Sequence, residues 1–269
     1  MEKLEIIDKI NIHKGKKFLQ VDEKPEEDEM YIAYTTKPKS YIKLANSGYT
    51  TLKGRSVPIF QGFVNGQTSV IFESGSRGSG KTLMASIIAE EYKKLNPKNR
   101  IWYVCSTSAS HDCNLNELSY IKDFDIGSLN EFKILDRKID GDITEEHKDA
   151  DAIFKKYNNG LFIFDDIDSL NKETQHRVQS LFNLLLELSR KRGISVLKVS
   201  HYESNGSMSR LLNREMDYYI CWNQNLKMNR LLNHYHKFNT NLINDDETYL
   251  IFDFKHKYVI TNKRIFTYE

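Results

Sequence analysis

Short apolar runs and amphipathic stretches alternate along the chain from about residue 57 onward. Residues 69–73 (SVIFE) form a run too short for a helix and end at a glycine, which predicts a buried strand. Residues 81–95 follow with helical spacing and are stopped by Pro97. Residues 101–105 (IWYVC) predict a second strand. Residues 161–164 (LFIF) predict a third, ending in acids. Residues 172–191 predict a helix with Val178, Leu181, Leu185 and Leu188 on one face, ended by Gly193. Residues 194–199 (ISVLKV) and 218–222 (YYICW) predict two more strands. Residues 249–254, 258–261 and 264–268 predict the last ones. The intervening 107–158 is mixed and polar, with weak helical periodicity at 115–120 and 147–157.

Strands alternating with helices imply an α/β fold with a mainly parallel central sheet flanked by helices on both faces. The closing strands are joined by a link of only three residues, 255–257, which predicts antiparallel strands at one edge. The first 56 residues break this rhythm. They hold an acidic loop (DEKPEEDE, 22–29) and a stretch, 37–55, that mixes Lys37, Lys39, Lys43, Lys53 and Arg55 with Tyr41 and Tyr49. The expected division is therefore a small N-terminal appendage of unknown role, 1–56, and a main domain, 57–269. The basic and aromatic mixture suits a nucleic-acid surface and equally suits a solvated face.

Composition narrows the class. Basic residues number 39 and acidic residues 37, a formal net charge of +2, which excludes a histone-like polyelectrolyte but not a local basic surface. Cys105, Cys113 and Cys221 are odd in number and form no disulfide framework. The cluster Cys105, His111, Cys113 lacks a usual zinc spacing. No apolar run approaches the ~20 residues of a membrane helix. The start, MEKLE, lacks the layout of a signal peptide. A soluble protein of a reducing compartment, without a membrane span, is the expectation.

Chemistry enters at residue 75. Gly75, Ser76, Arg77, Gly78, Ser79, Gly80, Lys81 and Thr82 match G-x-x-x-x-G-K-[ST] at every fixed position, between an expected strand and an expected helix. Glycines permit the backbone angles that turn successive N–H groups toward phosphate oxygens, and the helix start adds a favourable dipole. Lys81 is placed to neutralise the β- and γ-phosphates, and the Thr82 hydroxyl to ligate Mg2+.

The strand at 161–164 ends in Asp165 and Asp166. Asp165 is assigned to the metal and Asp166 to activation of the attacking water. The next apolar strand ends in Ser200 and His201. Parallel strands deliver their C-terminal ends to one crevice, so either residue can sense the γ-phosphate there; an ordinary surface histidine is the other reading. The base-reading motif N-K-x-D is absent: both Asn171-Lys172-Glu173-Thr174 and Asn262-Lys263-Arg264-Ile265 fail at the last position. ATP is therefore favoured over GTP. An extra strand between the phosphate-loop strand and the acidic strand points to motor ATPases rather than simple kinases.

SVIFESGSRGSGKT, LFIFDDID and LSRKRGISVLKVSHYES, taken in this order, resemble the poxvirus-type DNA-packaging ATPases of large DNA viruses and virophages, relatives of the FtsK and HerA translocases. The resemblance spans roughly 57–260. It implies a RecA-like P-loop NTPase and a homo-oligomeric ring, a hexamer or pentamer, that hydrolyses ATP with Mg2+. Such a ring would drive double-stranded DNA into a preformed capsid and meet a capsid or portal vertex protein. The setting would be the host cell cytoplasm or viral factory, with virion association. Arg190 stands where related motors carry an arginine finger acting on the neighbouring subunit; Arg192, Arg210 and Arg214 are the alternates. Complementing the helix dipole is the other reading of Arg190. Asp166 stands where many relatives have glutamate, and His201 where the usual residue is glutamine. DNA contacts are expected within 107–148, 203–214 or 37–55. Two other classes stay open: a P-loop enzyme or kinase acting on a protein or small molecule, and a nucleotide-dependent assembly switch.

Overall fold

The computed structural model of the chain describes residues 68–109, 112–131, 157–201, 208–222, 248–254, 258–261 and 264–267, short strands before residue 59, and isolated positions at 63, 232, 238, 240–243 and 245. Five short strands come first: β1 (Glu5–Ile6), β2 (Leu19–Val21), β3 (Lys43–Leu44), β4 (Tyr49–Thr51) and β5 (Ser56–Pro58). Then follow β6 (Val70–Ser74), α1 (Lys81–Leu95), β7 (Arg100–Val104), β8 (Ile121–Asp123) and β9 (Gly160–Asp165). Next come α2 (Lys172–Arg192), β10 (Ile194–Ser200), α3 (Met208–Glu215) and β11 (Tyr218–Trp222). The chain closes with β12 (Tyr249–Asp253), β13 (Tyr258–Thr261) and β14 (Arg264–Thr267).

Ten of these strands form one sheet in the order β4-β14-β13-β12-β11-β6-β10-β9-β7-β8. From β11 to β8 every pairing is parallel. From β11 outward to β4 every pairing is antiparallel. The mainly parallel core with antiparallel C-terminal strands agrees with the sequence reading, and the order is that of a RecA-like P-loop fold. β10 lies between β6 and β9, so one strand separates the phosphate-loop strand from the acidic strand. β4, from the first 56 residues, pairs with β14 on the outer edge; β1–β3 and β2–β5 pair apart from this sheet.

Strand alternation sends side chains to two layers. Under α2 lie Phe72, Phe162, Phe164, Val196 and Phe252, packed against Val178, Leu181, Phe182 and Leu185. Under α1 lie Ile71, Ile163, Leu197, Val199 and Ile220, packed against Ala85, Ile88, Ala89 and Tyr92. Burial on both faces explains why β6, β9, β10 and β11 read as continuous apolar runs. α2 starts where the Asn171 side chain accepts from the Thr174 N–H at 3.0 Å, and it stops at Gly193 with φ 64°.

One expectation needs correction, and two elements were not foreseen. Residues 115–120 form successive turns, not a helix. The Asp112 carboxylate takes the Asn114 N–H at 2.8 Å, an Asx turn that competes with helix formation, and only Leu115 of that stretch is buried in the core. A short strand, β8, follows it unannounced: three residues are too few for a visible period. α3 was also not expected as a separate helix. The weak helix at 147–157 lies outside the described residues except for Tyr157.

Candidate phosphate-binding site

Residues 75–80 turn the chain from the end of β6 into the start of α1. Two glycines make the turn possible: Gly78 has φ 77° and Gly80 φ 102°. Gly75 is needed for another reason. A Cβ there would stand 2.7 Å from Ser79 Oγ and 2.9 Å from Trp222 Cε3. The loop is therefore packed down onto the Trp222 indole at the end of β11. It is also tied to β10, where the Gly75 N–H donates to the Ser200 carbonyl at 3.2 Å. No side chain caps the N-terminus of α1, which leaves its first N–H groups to a ligand. Ser76 and Ser79 are half-buried, and Arg77 is exposed.

Lys81 is the first residue of α1 and is buried. Its ammonium donates to the Gly75 and Ser76 carbonyls, each at 2.9 Å, and lies 3.3 Å from His201 Nδ1. An ammonium has no acceptor, so Nδ1 must take this hydrogen bond and the ring proton belongs on Nε2. That nitrogen faces Asp166 Oδ1 at 3.9 Å. Burial lowers the Lys81 pKa, while Glu73, Asp165 and Asp166 oppose the shift.

Asp165 ends β9 and is held by the Tyr103 hydroxyl, which donates to Oδ2 at 3.0 Å. Burial raises its pKa; the Tyr103 hydrogen bond and Lys81 pull it back down. Asp166 adopts the left-handed region at φ 48° and ψ 33°. Its carbonyl accepts from the Ser169 N–H at 3.1 Å and from Ser169 Oγ at 2.7 Å, which holds it in this sparsely populated conformation. The turn lifts the Asp166 side chain off the strand and half exposes it beside His201.

The phosphate loop, Asp165, Asp166 and His201 thus lie together at the C-terminal ends of β6, β9 and β10. Thr82, half-buried, follows Lys81 on the first turn of α1. Ser200 lies level with Ser74 and is buried. Arg190 does not join them. It is exposed in the last turn of α2, at the opposite end of β10, about 20 Å away by strand rise. Sequence reasoning missed three contributors: Tyr103, which anchors Asp165; Trp222, which supports the loop; and Glu73, which lies two residues before Gly75. A tyrosine and a tryptophan inside apolar strand runs carry no local signal of a site. Glu73 did carry one, as a lone acid within SVIFE.

The family model of ATPases associated with various cellular activities (AAA) matches residues 71–212. Uncharacterized protein V3 of the Sputnik virophage is 30% identical over 133 residues, covering 49% of this chain and 46% of that protein. The chain thus matches less than half the length of this curated relative. Among solved structures, the pCW3 conjugation coupling protein TcpA is similar over 82% of this chain and 65% of its own, at 13% identity and TM-score 0.44. The genome-packaging NTPase B204 of Sulfolobus turreted icosahedral virus 2, in complex with ATP-gammaS, is similar over 74% and 98%, at 13% identity and TM-score 0.40. The cytoplasmic domain of the Thermomonospora curvata type VII secretion ATPase EccC is similar over 83% and 29%, at 11% identity and TM-score 0.49. The resemblance read from the sequence thus finds a virophage relative and a matching family model. An intact phosphate loop in a RecA-like sheet and a family match over more than half the residues make the chain a P-loop ATPase of the AAA family.

Proposed function

We propose that the chain is a magnesium-dependent ATPase motor that moves double-stranded viral DNA into a preformed capsid, working as a homo-oligomeric ring. The observation that carries the ATPase reading is the convergence on Lys81: phosphate-loop carbonyls, His201 and two acids share one crevice at the strand ends. ATP would lie with its phosphates over the loop N–H groups and its charge against Lys81. The Thr82 hydroxyl and the Asp165 carboxylate are hard oxygen donors of the kind Mg2+ takes, and they would hold it. The ion would neutralise charge on the phosphate oxygens when bound.

Asp166 would accept a hydrogen bond from the attacking water, aimed by its left-handed backbone. His201, between Lys81 and Asp166, would report the state of the γ-phosphate, together with Ser200. Arg190 is too far from its own loop to act there, so its role as a finger requires a neighbouring subunit in a hexamer or pentamer. The ring and its viral DNA cargo rest on the motif resemblance and the virophage relative; the portal or capsid partner, and a place in the host cytoplasm, viral factory or virion, rest on the same ground. No helix among the described residues is long and apolar enough to cross a membrane. The kinase alternative would need residues 203–214 as a mobile lid. Leu212 and Met216 are buried in the core, which ties down the second half of that stretch.

The test is ATP hydrolysis by wild type and Lys81→Ala, each with and without long double-stranded DNA. Hydrolysis that rises with DNA and vanishes in the variant supports the motor. Hydrolysis indifferent to DNA keeps the ATPase and removes packaging.

A further inference from the structure

A lysine ammonium carries three N–H groups and no acceptor. In Lys81 all three are engaged by the protein: the Gly75 and Ser76 carbonyls at 2.9 Å each and His201 Nδ1 at 3.3 Å. A phosphate oxygen can therefore bond Lys81 only by displacing one of these acceptors.

The three are not equally held. Gly75 and Ser76 belong to the loop backbone, which the Gly75 N–H ties to the Ser200 carbonyl and which rests on the Trp222 indole. Moving either carbonyl would disturb the turn that Gly78 and Gly80 build. His201 is different. It is the first residue past the end of β10, its side chain is 40% exposed, and its contact is the longest of the three. Its departure costs least, because water can take over the hydrogen bonds of a half-exposed imidazole.

The other ring nitrogen supplies the consequence. With Nδ1 accepting from Lys81, the ring proton sits on Nε2, and that N–H faces Asp166 Oδ1 at 3.9 Å. The separation is about 1 Å too long for a hydrogen bond. A ring released by Lys81 can close it. The Asp166 backbone is already pinned by Ser169, so only its carboxylate needs orienting. A donor on Oδ1 fixes that orientation and leaves Oδ2 for a water.

We propose that His201 is a displaceable third ligand of Lys81: a nucleotide phosphate takes its place on the ammonium, and the freed ring donates from Nε2 to Asp166. Arrival of the phosphate and alignment of the acid are then one event. His201 is a positioning residue, acting on the phosphate through Lys81 and on the water through Asp166. This inference rests on the ATPase reading of the site.

Two amides separate the two ring nitrogens. His201→Asn sets an acceptor oxygen near the place of Nδ1 and leaves nothing at Nε2; His201→Gln sets an N–H donor near the place of Nε2 and leaves nothing at Nδ1. The experiment compares both with wild type and His201→Ala. It reads the dissociation constant of the non-hydrolysable ATP analogue AMPPNP in EDTA, kcat for ATP in Mg2+, and Tm without nucleotide. His201→Ala should bind AMPPNP roughly three- to tenfold tighter than wild type, because a competitor for Lys81 is gone. Its kcat should fall roughly tenfold or more, because Asp166 loses its guide. His201→Asn should keep the wild-type dissociation constant within about twofold and share the low kcat. His201→Gln should bind as tightly as His201→Ala and recover part of kcat. Tm should stay at the wild-type value in all three, since the side chain is half-exposed.

Unchanged or weaker AMPPNP binding in His201→Ala would overturn the displacement. Equal kcat in His201→Asn and His201→Gln would overturn the transfer of the ring to Asp166. Binding and kcat that fall together with Tm would mark a purely structural histidine and overturn both. Each of these leaves the ATPase reading intact. Wild type that neither binds AMPPNP nor hydrolyses ATP, with or without DNA, would instead overturn that reading.

Discussion

The two faces of the central sheet are packed to the same depth but spend their burial differently. The layer under α2 is a nearly unbroken aromatic stack: Trp102, Phe124, Tyr157, Phe162, Phe164 and Phe182 touch one another in sequence. The layer under α1 has the same aliphatic floor but buries Glu73 and Lys81, and joins Tyr103 to Asp165. The phosphate loop folds back over this second face, because β6 hands the chain to α1 there. Charge that is costly in a core becomes useful where a polyphosphate must be gripped. The aromatic face then supplies the stability that the polar face gives up.

The contrast breaks most sharply at Lys81. Lys81→Ala removes the cation on which the loop carbonyls, His201 and the acids converge. Turnover should fall by on the order of 10²–10³ or more, with Tm nearly unchanged, because the side chain contributes no apolar core. Steady-state hydrolysis beside a thermal melt checks it. A large drop in Tm would mean that the polar face also carries stability.

Phe162→Ala is the matching cut on the other face. Phe162 is fully buried and contacts Trp102, Phe124, Tyr157 and Phe164. Its loss should cost about 3–5 kcal/mol of unfolding free energy, measured by urea titration. Hydrolysis per folded molecule should change less than about threefold. Gly75→Ala tests the join between loop and sheet. The added methyl meets Trp222 and Ser79 below the loop, so nucleotide affinity should fall roughly tenfold. The double change Gly75→Ala with Trp222→Leu should restore part of it. Isothermal titration with ATP reads both.

The same contrast explains what the sequence disclosed. The strand runs, both long helices and the P-loop were legible because fully buried parallel strands are written as apolar blocks, and because phosphate binding needs glycines at fixed spacing. Asp165 and Asp166 were legible because acids at the end of such a block have few other uses. Tyr103 and Trp222 were hidden because the same letters also serve as core. Only register across β7, β9 and β11 shows which of them meets the site. Residues 115–120 misled because one buried leucine among polar residues imitates weak helical spacing, and the Asp112 side chain decides for turns. Glu73 was visible as an exception to its run.

Lys198 is the exception on the aromatic face and gives the smallest test. It is 3% exposed on β10, with its ammonium 5.4 Å from the Phe182 ring centroid. Burial pushes its pKa down to about 8, against a smaller opposing pull from Asp168. In the unfolded chain the group titrates near 10.4. Below about pH 8 both states hold the proton, and the folded state bears the full cost of a buried charge. Between about pH 8 and 10.4 the unfolded chain holds more protons than the folded one, so wild-type stability rises with pH across this window. The charge penalty is on the order of 3 kcal/mol; the ring contact returns part of it. Lys198→Met should therefore stabilise the protein by about 1 kcal/mol at pH 7, and the gain should shrink to nothing by about pH 10.5. Urea titrations at pH 7, 9 and 10.5 read the difference. A variant less stable than wild type at pH 7 would show that Lys198 is held by its surroundings as a useful cation. The aromatic face would then also pair its charges, and the division between the two faces would be one of degree.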